Sequence, residues 1–183
     1  AGLEIEMICP LHGPVWRKDI AWFLDKYIHW ATYTPEDDAV VIAYASVYGG
    51  TENAANILAC RLREQGVQVE MFDTSVTPAS YILAAAFRFS HVVLAAPTYN
   101  GGVFVTMENL LHDLTAHGLK GRRAAYIENG SWAPTSARGM QKLLEPLNWE
   151  TAADTVTLRS ALRQGQQEDL ERMAAQLAES VKA

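Results

Sequence analysis

Three short strings in the sequence combine hydroxyls, glycines and an aromatic at the rim: Ser46-Val47-Tyr48-Gly49-Gly50-Thr51, Pro97-Thr98-Tyr99-Asn100-Gly101-Gly102, and Asn129-Gly130-Ser131-Trp132-Ala133 with Glu128 just before it. The first holds two adjacent glycines and no Lys or Arg, and it leads straight into a segment of helical spacing. Backbone amides of a turn that closes onto a helix N-terminus form a nest for an anion, helped by an effective charge of roughly +0.5 from the helix dipole. Phosphate binding there needs no basic side chain, and Ser46 and Thr51 add hydroxyls. Thr51 is also a candidate helix N-cap, a role compatible with holding an anion. A plain tight turn is the alternative reading of Gly49-Gly50. The two common phosphate loops, GxxxxGK[ST] and GxGxxG, are both absent.

The second and third strings suit a planar heteroaromatic ligand, which needs aromatic or apolar faces on its two sides and hydrogen bonds around its edge. Tyr48, Tyr99 and Trp132 are the candidate faces, with core packing or a partner interface as the competing use of each. Asn100 and the Gly101 peptide are candidates for the edge. Glu128 is either a solvated carboxylate or one close to the ring.

Other reactive groups carry less. Cys9 and Cys60 make no disulfide framework and no CxxC pair, so a reducing, cytoplasmic setting is expected. Cys60 reads as a small buried hydrophobe beside Ile57. His29, His91, His112 and His117 are scattered without metal-ligand spacing. A net charge of −6 argues against nucleic acid and anionic membrane surfaces as partners. Acids such as Asp37, Asp38, Glu168, Asp169 and Glu171 are solvated helix ends or, if they gather at the site, a guide for a basic redox partner. The apolar stretches at 81–87 and 92–96 are far below the roughly 18 residues of a membrane span. The first ten residues lack a basic n-region and read as a piece cut from something longer.

The elements that must position the three strings are legible from periodicity. Short apolar runs at about 39–45, 67–72, 91–96, 123–127 and 153–158 predict strands; segments near 51–65, 78–88, 105–117, 135–146 and 166–181 predict helices. Strict alternation implies a doubly wound α/β domain with a parallel sheet covered on both faces. Ligands in such sheets bind outside the carboxyl ends of the strands at a topological switch point, where the three strings would lie. Gly66 and Gly118 stand where helices should stop. Ahead of this domain, residues 1–37 form an arm with Trp16, Trp22 and Trp30 as packing residues and a helix at about 18–31. A receiver domain of the same topology needs an aspartate where this chain has Ala96, so that reading fails.

SVYGGT, PTYNGG and ENGSWAP, in this order after successive strands, resemble the three flavin-contacting loops of flavodoxin-like proteins. The resemblance covers about residues 39–183 and implies a five-stranded sheet of order 2-1-3-4-5 that binds FMN. It implies Ser46, Val47, Tyr48, Gly49, Gly50 and Thr51 around the phosphate, with Pro97, Thr98, Tyr99, Asn100, Gly101, Gly102, Asn129, Gly130, Ser131, Trp132 and Ala133 framing the ring. MICPLHGPVWR at residues 7–17 is similar to the junction in A-type flavoproteins, or flavodiiron proteins, where a metallo-β-lactamase-like diiron domain precedes a flavodoxin-like one. His12 would there be the last iron ligand; the HxExDH string that would supply others is absent, so no metal site is expected within this chain. The expected division is a junction with helix at 1–37 and an FMN-binding domain at 38–183.

The implied function is electron transfer from FMN to a diiron centre that reduces oxygen or nitric oxide, with a rubredoxin-like protein or reductase as donor and a second copy of the chain as a further candidate partner. Where many relatives read PTxNN, this chain has Asn100-Gly101-Gly102, a departure that falls near the ring rather than the phosphate. Two alternatives stay open at this point. One is a free-standing NAD(P)H-dependent quinone or flavin reductase; the other is a domain that has lost flavin and serves as an interaction module.

Overall fold

The computed structural model describes residues 4–183; the first three residues of the expected junction lie outside the described residues. From the arm the chain enters α1 (Ile20–Thr32), then β1 (Asp37–Tyr44), α2 (Gly50–Glu64), β2 (Val69–Asp73), α3 (Ala79–Arg88) and β3 (Phe89–Tyr99). It continues through β4 (Gly102–Val103), α4 (Val105–Ala116), β5 (Arg123–Asn129), α5 (Ser136–Leu144), a 3₁₀ turn (Glu145–Leu147), β6 (Glu150–Thr151), β7 (Val156–Leu158) and α6 (Gln164–Lys182).

The sheet runs β2-β1-β3-β5-β6, all parallel, with β7 also on β5 and β4 folded back antiparallel on β3. With β6 and β7 taken as one interrupted strand, this is the order 2-1-3-4-5. Strand β1 shows why both faces are covered: Ala39, Val41 and Ala43 point into one core and Val40 and Ile42 into the other, all wholly buried. Helices α3, α4 and α5 close the first core with Ile82, Leu111 and Met140, and α2 and α6 close the second with Leu58 and Leu177. Continuous apolar strands of this kind are stable only between two layers of helix.

The fifth strand departs from expectation. The sequence predicts one run at 153–158, yet Glu150–Thr151 pairs with Arg123 and Ala124, and pairing resumes only at Val156 opposite Ile127. Ala152, Ala153, Asp154 and Thr155 thus stand opposite Ala125 and Tyr126, a bulge. Its cause is a side chain on another element: Gln176 accepts the Asp154 N–H through Oε1 and donates to its carboxylate through Nε2, each at 2.9 Å, which takes that backbone out of the ladder.

The arm has a character of its own. Ile8 and Trp16 form an antiparallel bridge, and the Trp16 ring lies 5.0 Å from Phe23 and 6.0 Å from Trp22. No residue of α1 is buried: Trp16 packs on Trp22 and Phe23 of α1, and Trp30 donates through Nε1 to Glu36 at 2.7 Å. Arg122, itself 2 % exposed, fastens the arm together with the Tyr33 ring, which packs on Phe87: its guanidinium donates to the carbonyls of Tyr33, Ala86, Phe87, Lys120 and Gly121. It thereby caps the end of α3 and holds the link between α1 and β1. Cys60 is exposed, not buried. It falls one residue beyond the Ala55, Ala59, Leu62 stripe of α2, and that step of about 100° turns it to solvent. No helix among the described residues is long and apolar enough to cross a membrane.

Candidate functional site

The three strings meet at the carboxyl end of the sheet. After β1, Ser46 Oγ accepts the Gly49 N–H at 3.1 Å and draws the chain into a tight turn, with Gly49 at φ +81°. That value suits glycine and strains other residues. Gly49, not Thr51, is the N-cap of α2; Thr51 sits in the first turn, 2 % exposed. The N–H groups of Gly50, Thr51 and Glu52 point out of the helix end without a partner among the described residues. Beside this end of β1, burial first and then the charges of Glu52 and Asp73 push the Tyr44 hydroxyl above its ordinary pKa, so it stays neutral.

After β3 the chain forms a hairpin that the sequence reading did not anticipate. Tyr99 pairs with Gly102, and the two residues between them, Asn100 and Gly101, have φ +49° and +75°. Asn-Gly with two positive φ values is the preferred two-residue hairpin turn, and that dipeptide was the available signal. The Tyr99 ring stands edge-on to Phe104 at 5.6 Å and remains half exposed. Thr98 serves the scaffold: its Oγ1 accepts the N–H groups of Thr135 and Ser136 at 2.8 and 3.1 Å and so caps α5.

After β5 the roles divide. Trp132 is 94 % exposed and Ala133 is exposed, while Asn129 is buried and its carboxamide is fully used within the protein. Asn129 Nδ2 donates to Thr51 Oγ1 at 3.3 Å and to the Ser160 carbonyl at 2.9 Å, and Oδ1 accepts the Ser160 N–H at 2.9 Å. Ser131 Oγ lies 2.9 Å from Ser160 Oγ. Gly130 passes so close to Pro134 that a Cβ would sit 3.0 Å from its Cα. Both Glu128 oxygens are tied within the protein: Oε1 accepts from Thr157 Oγ1 and Oε2 from the Ala137 N–H, at 2.9 and 3.1 Å.

A fourth loop therefore belongs to the constellation. Ser160, at φ +69° after β7, joins the first and third strings, and a Cβ on Gly50 would lie 2.4 Å from its carbonyl oxygen. Gly50 is needed for this close approach and Gly49 for its backbone conformation. No local pattern announces Ser160, because its partners are on distant strand and helix ends. Side by side at one end of the sheet stand a set of free amides and two nearly bare aromatics, Tyr48 at 98 % exposure and Trp132 at 94 %. His12 is exposed in the arm, and no three His, Cys, Asp or Glu side chains gather to hold a metal among the described residues.

No family model matches the chain. It is 25 % identical over 185 residues to the rubredoxin-oxygen oxidoreductase of Megalodesulfovibrio gigas, covering 100 % of this chain and 46 % of that protein. It is 31 % identical over 143 residues to the nitric oxide reductase of Moorella thermoacetica, covering 78 % and 35 % respectively. The chain thus spans less than half the length of these two curated relatives. Among solved structures, rubredoxin oxygen:oxidoreductase from Desulfovibrio gigas superimposes with a TM-score of 0.90 at 24 % identity over 97 % of this chain and 44 % of that one. A flavodoxin of Streptococcus pneumoniae superimposes with a TM-score of 0.67 at 24 % identity, over 78 % of this chain and 99 % of that chain. Its curated relatives thus include a rubredoxin-oxygen oxidoreductase and nitric oxide reductase flavorubredoxins, and it shares its fold with about half of a solved flavodiiron protein and with nearly the whole of a flavodoxin.

Proposed function

We propose that the chain binds FMN at the carboxyl end of the sheet and serves as an electron-transfer domain. The observation that carries this reading is the pairing of unpartnered amides at the start of α2 with the exposed rings of Tyr48 and Trp132 on loops that are otherwise tied down. Aromatics left in water on ordered loops are suited to cover a planar ring, and free amides at a helix N-terminus are suited to a phosphate. The residues present fit the group.

Ser46, Val47, Tyr48, Gly49, Gly50 and Thr51 would hold the phosphate, chiefly through the backbone N–H groups of Gly50, Thr51 and Glu52. Pro97, Thr98, Tyr99, Asn100, Gly101 and Gly102 would line one side of the ring, and Gly130, Ser131, Trp132 and Ala133 the other. Asn129 would act one step back, by keeping Thr51 and the Ser160 loop in register. Tyr48, Tyr99 and Trp132 would exclude water from the ring faces, and the positive φ of Asn100 and Gly101 would leave their peptide groups available to its edge. When bound, FMN supplies one- and two-electron chemistry, while the protein sets position and polarity.

In this reading residues 1–37 are the junction and 38–183 the FMN domain of a protein about twice as long. In the longer protein this domain would pass electrons to a diiron centre reducing oxygen or nitric oxide, with His12 completing the metal site from the junction. The donor would be a rubredoxin-like protein or a reductase in the cytoplasm, and pairing of two copies would bring one subunit's FMN to the other's metal. The test is a titration of the purified chain with FMN, read by quenching of flavin fluorescence in parallel with Thr51→Ala. The reading expects saturable binding that the substitution weakens; equal affinity of the two proteins would remove the assigned phosphate loop.

A further inference from the structure

A cavity of about 510 Å³ opens beside α5 and the edge strand β6 and shares no residue with the loops described above. It is lined by Tyr126, Arg138, Gln141, Lys142, Glu145 and Trp149, among others. Its size falls within the range of small-molecule sites. Tyr126 projects from the middle of β5, is 4 % exposed and lines this cavity, and no side chain or backbone group among the described residues hydrogen-bonds its hydroxyl. Burial pushes that hydroxyl up to about 12, so it is a proton donor at every ordinary pH. An otherwise buried donor that opens onto a cavity and lacks an acceptor is suited to a ligand.

The surroundings say what kind. Arg138 and Lys142 are one helical turn apart on α5, and neither is ion-paired among the described residues. Against these two cations the lining sets one carboxylate, Glu145, so the cavity keeps an excess of positive charge in a chain whose net charge is −6. Arginine presents a planar fork of donors that matches a carboxylate or a phosphate. The Trp149 indole is held in place by its Nε1, which donates to the Leu119 carbonyl at 2.7 Å, so it lines the cavity as a fixed apolar wall. We propose that this cavity binds a small planar organic anion, with its acidic group on Arg138, Lys142 and the Tyr126 hydroxyl and its ring against Trp149. The proposal is independent of the flavin reading, since it uses other residues on another part of the fold.

Isothermal titration of the full chain with AMP, benzoate and inorganic phosphate tests it, since AMP and benzoate carry a phosphate and a carboxylate on a planar framework. Binding of AMP identifies a phosphate ligand, and binding of benzoate a carboxylate; failure of both to saturate by about 10 mM, weaker than the millimolar floor of useful affinity, overturns the proposal. The organic anion should bind about tenfold more tightly than inorganic phosphate if a ring stacks on Trp149, and equal affinity removes that wall. Tyr126→Phe should weaken binding by about fivefold, the worth of one hydrogen bond, and Arg138→Gln by about tenfold or more. Both variants should keep the wild-type unfolding midpoint within error, and unchanged affinity in both would overturn the assignment. Saturating FMN should leave the titration unaltered; displacement of AMP by FMN would place the ligand in the loops instead.

Discussion

The Asn129 carboxamide holds Ser160 by both of its backbone polar groups, accepting the N–H through Oδ1 and donating to the carbonyl through Nδ2, each at 2.9 Å. The same Nδ2 reaches Thr51 on the first turn of α2 at 3.3 Å. One buried side chain thus spans the ends of β5, β7 and α2, and the first turn of α2 and the Ser160 loop cannot move apart while it is in place. Asn129→Ala leaves the Ser160 peptide groups without partners, which costs about 1–3 kcal/mol. The expected outcome is a lower urea midpoint together with weaker FMN retention. A variant that unfolds earlier but binds FMN as tightly as the parent would separate Asn129 from the site.

Gly50 gives a sharper version of the same geometry. A methyl group there would sit 2.4 Å from the Ser160 carbonyl oxygen, so Gly50→Ala must push the β7–α6 loop outward. Overpacking of this kind costs about 1–3 kcal/mol. Gly49→Ala meets no atom within 4 Å and is strained only by its φ of +81°, so it should cost less and leave Ser160 in place. Amide exchange at Ser160 distinguishes the two: faster in the Gly50 variant, near the parent rate in the Gly49 variant.

Far from this site, Arg122 tests what anchors the arm. It is a buried cation with no carboxylate beside it; carbonyl oxygens at the end of α3, at Tyr33 and at Lys120 and Gly121 surround its charge, and burial pulls its pKa down to about 10. Arg122→Met removes the charge but leaves those carbonyls unpaired, and is expected to lower stability by about 2–4 kcal/mol in a denaturant titration. Proteolysis at the link between α1 and β1 should become faster in parallel. A stable variant with an intact link would show that the arm is held elsewhere.

His91 makes stability depend on pH. It is 2 % exposed, bonded through Nδ1 to Ser90 Oγ at 2.8 Å and through Nε2 to Ser180 Oγ at 2.9 Å, which ties β3 to the last turn of α6. Burial first, then the nearby Arg123 guanidinium, hold its pKa down at about 4 against an ordinary 6.5, with Asp38 opposing. Because the folded pKa is depressed, the unfolded chain takes up more protons between pH 6.5 and pH 4. Stability is therefore full above that window and falls through it, by about 3 kcal/mol in total from this group. Urea midpoints measured from pH 7 to pH 4 should show this slope, and His91→Gln should flatten it. An equal slope in both proteins would assign the loss to the carboxylates.

How far these relationships could be read from the sequence depends on the distance over which they act. The buried strands β1, β3 and β5 follow from their own apolar runs, and the turns at Gly66 and Gly118 from glycines with φ +79° and +61° that end helices. The three polar strings were likewise visible, because a turn and the helix after it are neighbours in the chain. The interrupted fifth strand was not, since its bulge is set by Gln176 acting on Asp154, 22 residues earlier. Ser160 escaped notice for the same reason, as its partner Asn129 is 31 residues away. The side chains of Thr98, Asn129 and Glu128 bond within the protein, to Ser136, Ser160 and Ala137, and no local pattern announces those partners. Polar residues at strand ends look alike in sequence whether they face a ligand or hold the loop that does.

Whether these loops form a flavin site is tested most directly by the visible absorption of the purified chain during titration with FMN. The account predicts perturbed flavin bands that saturate at about one FMN per chain, as expected of a preformed pocket, and that shift in Trp132→Ala. A protein that stays colourless and leaves the spectrum of added FMN unchanged would contradict it.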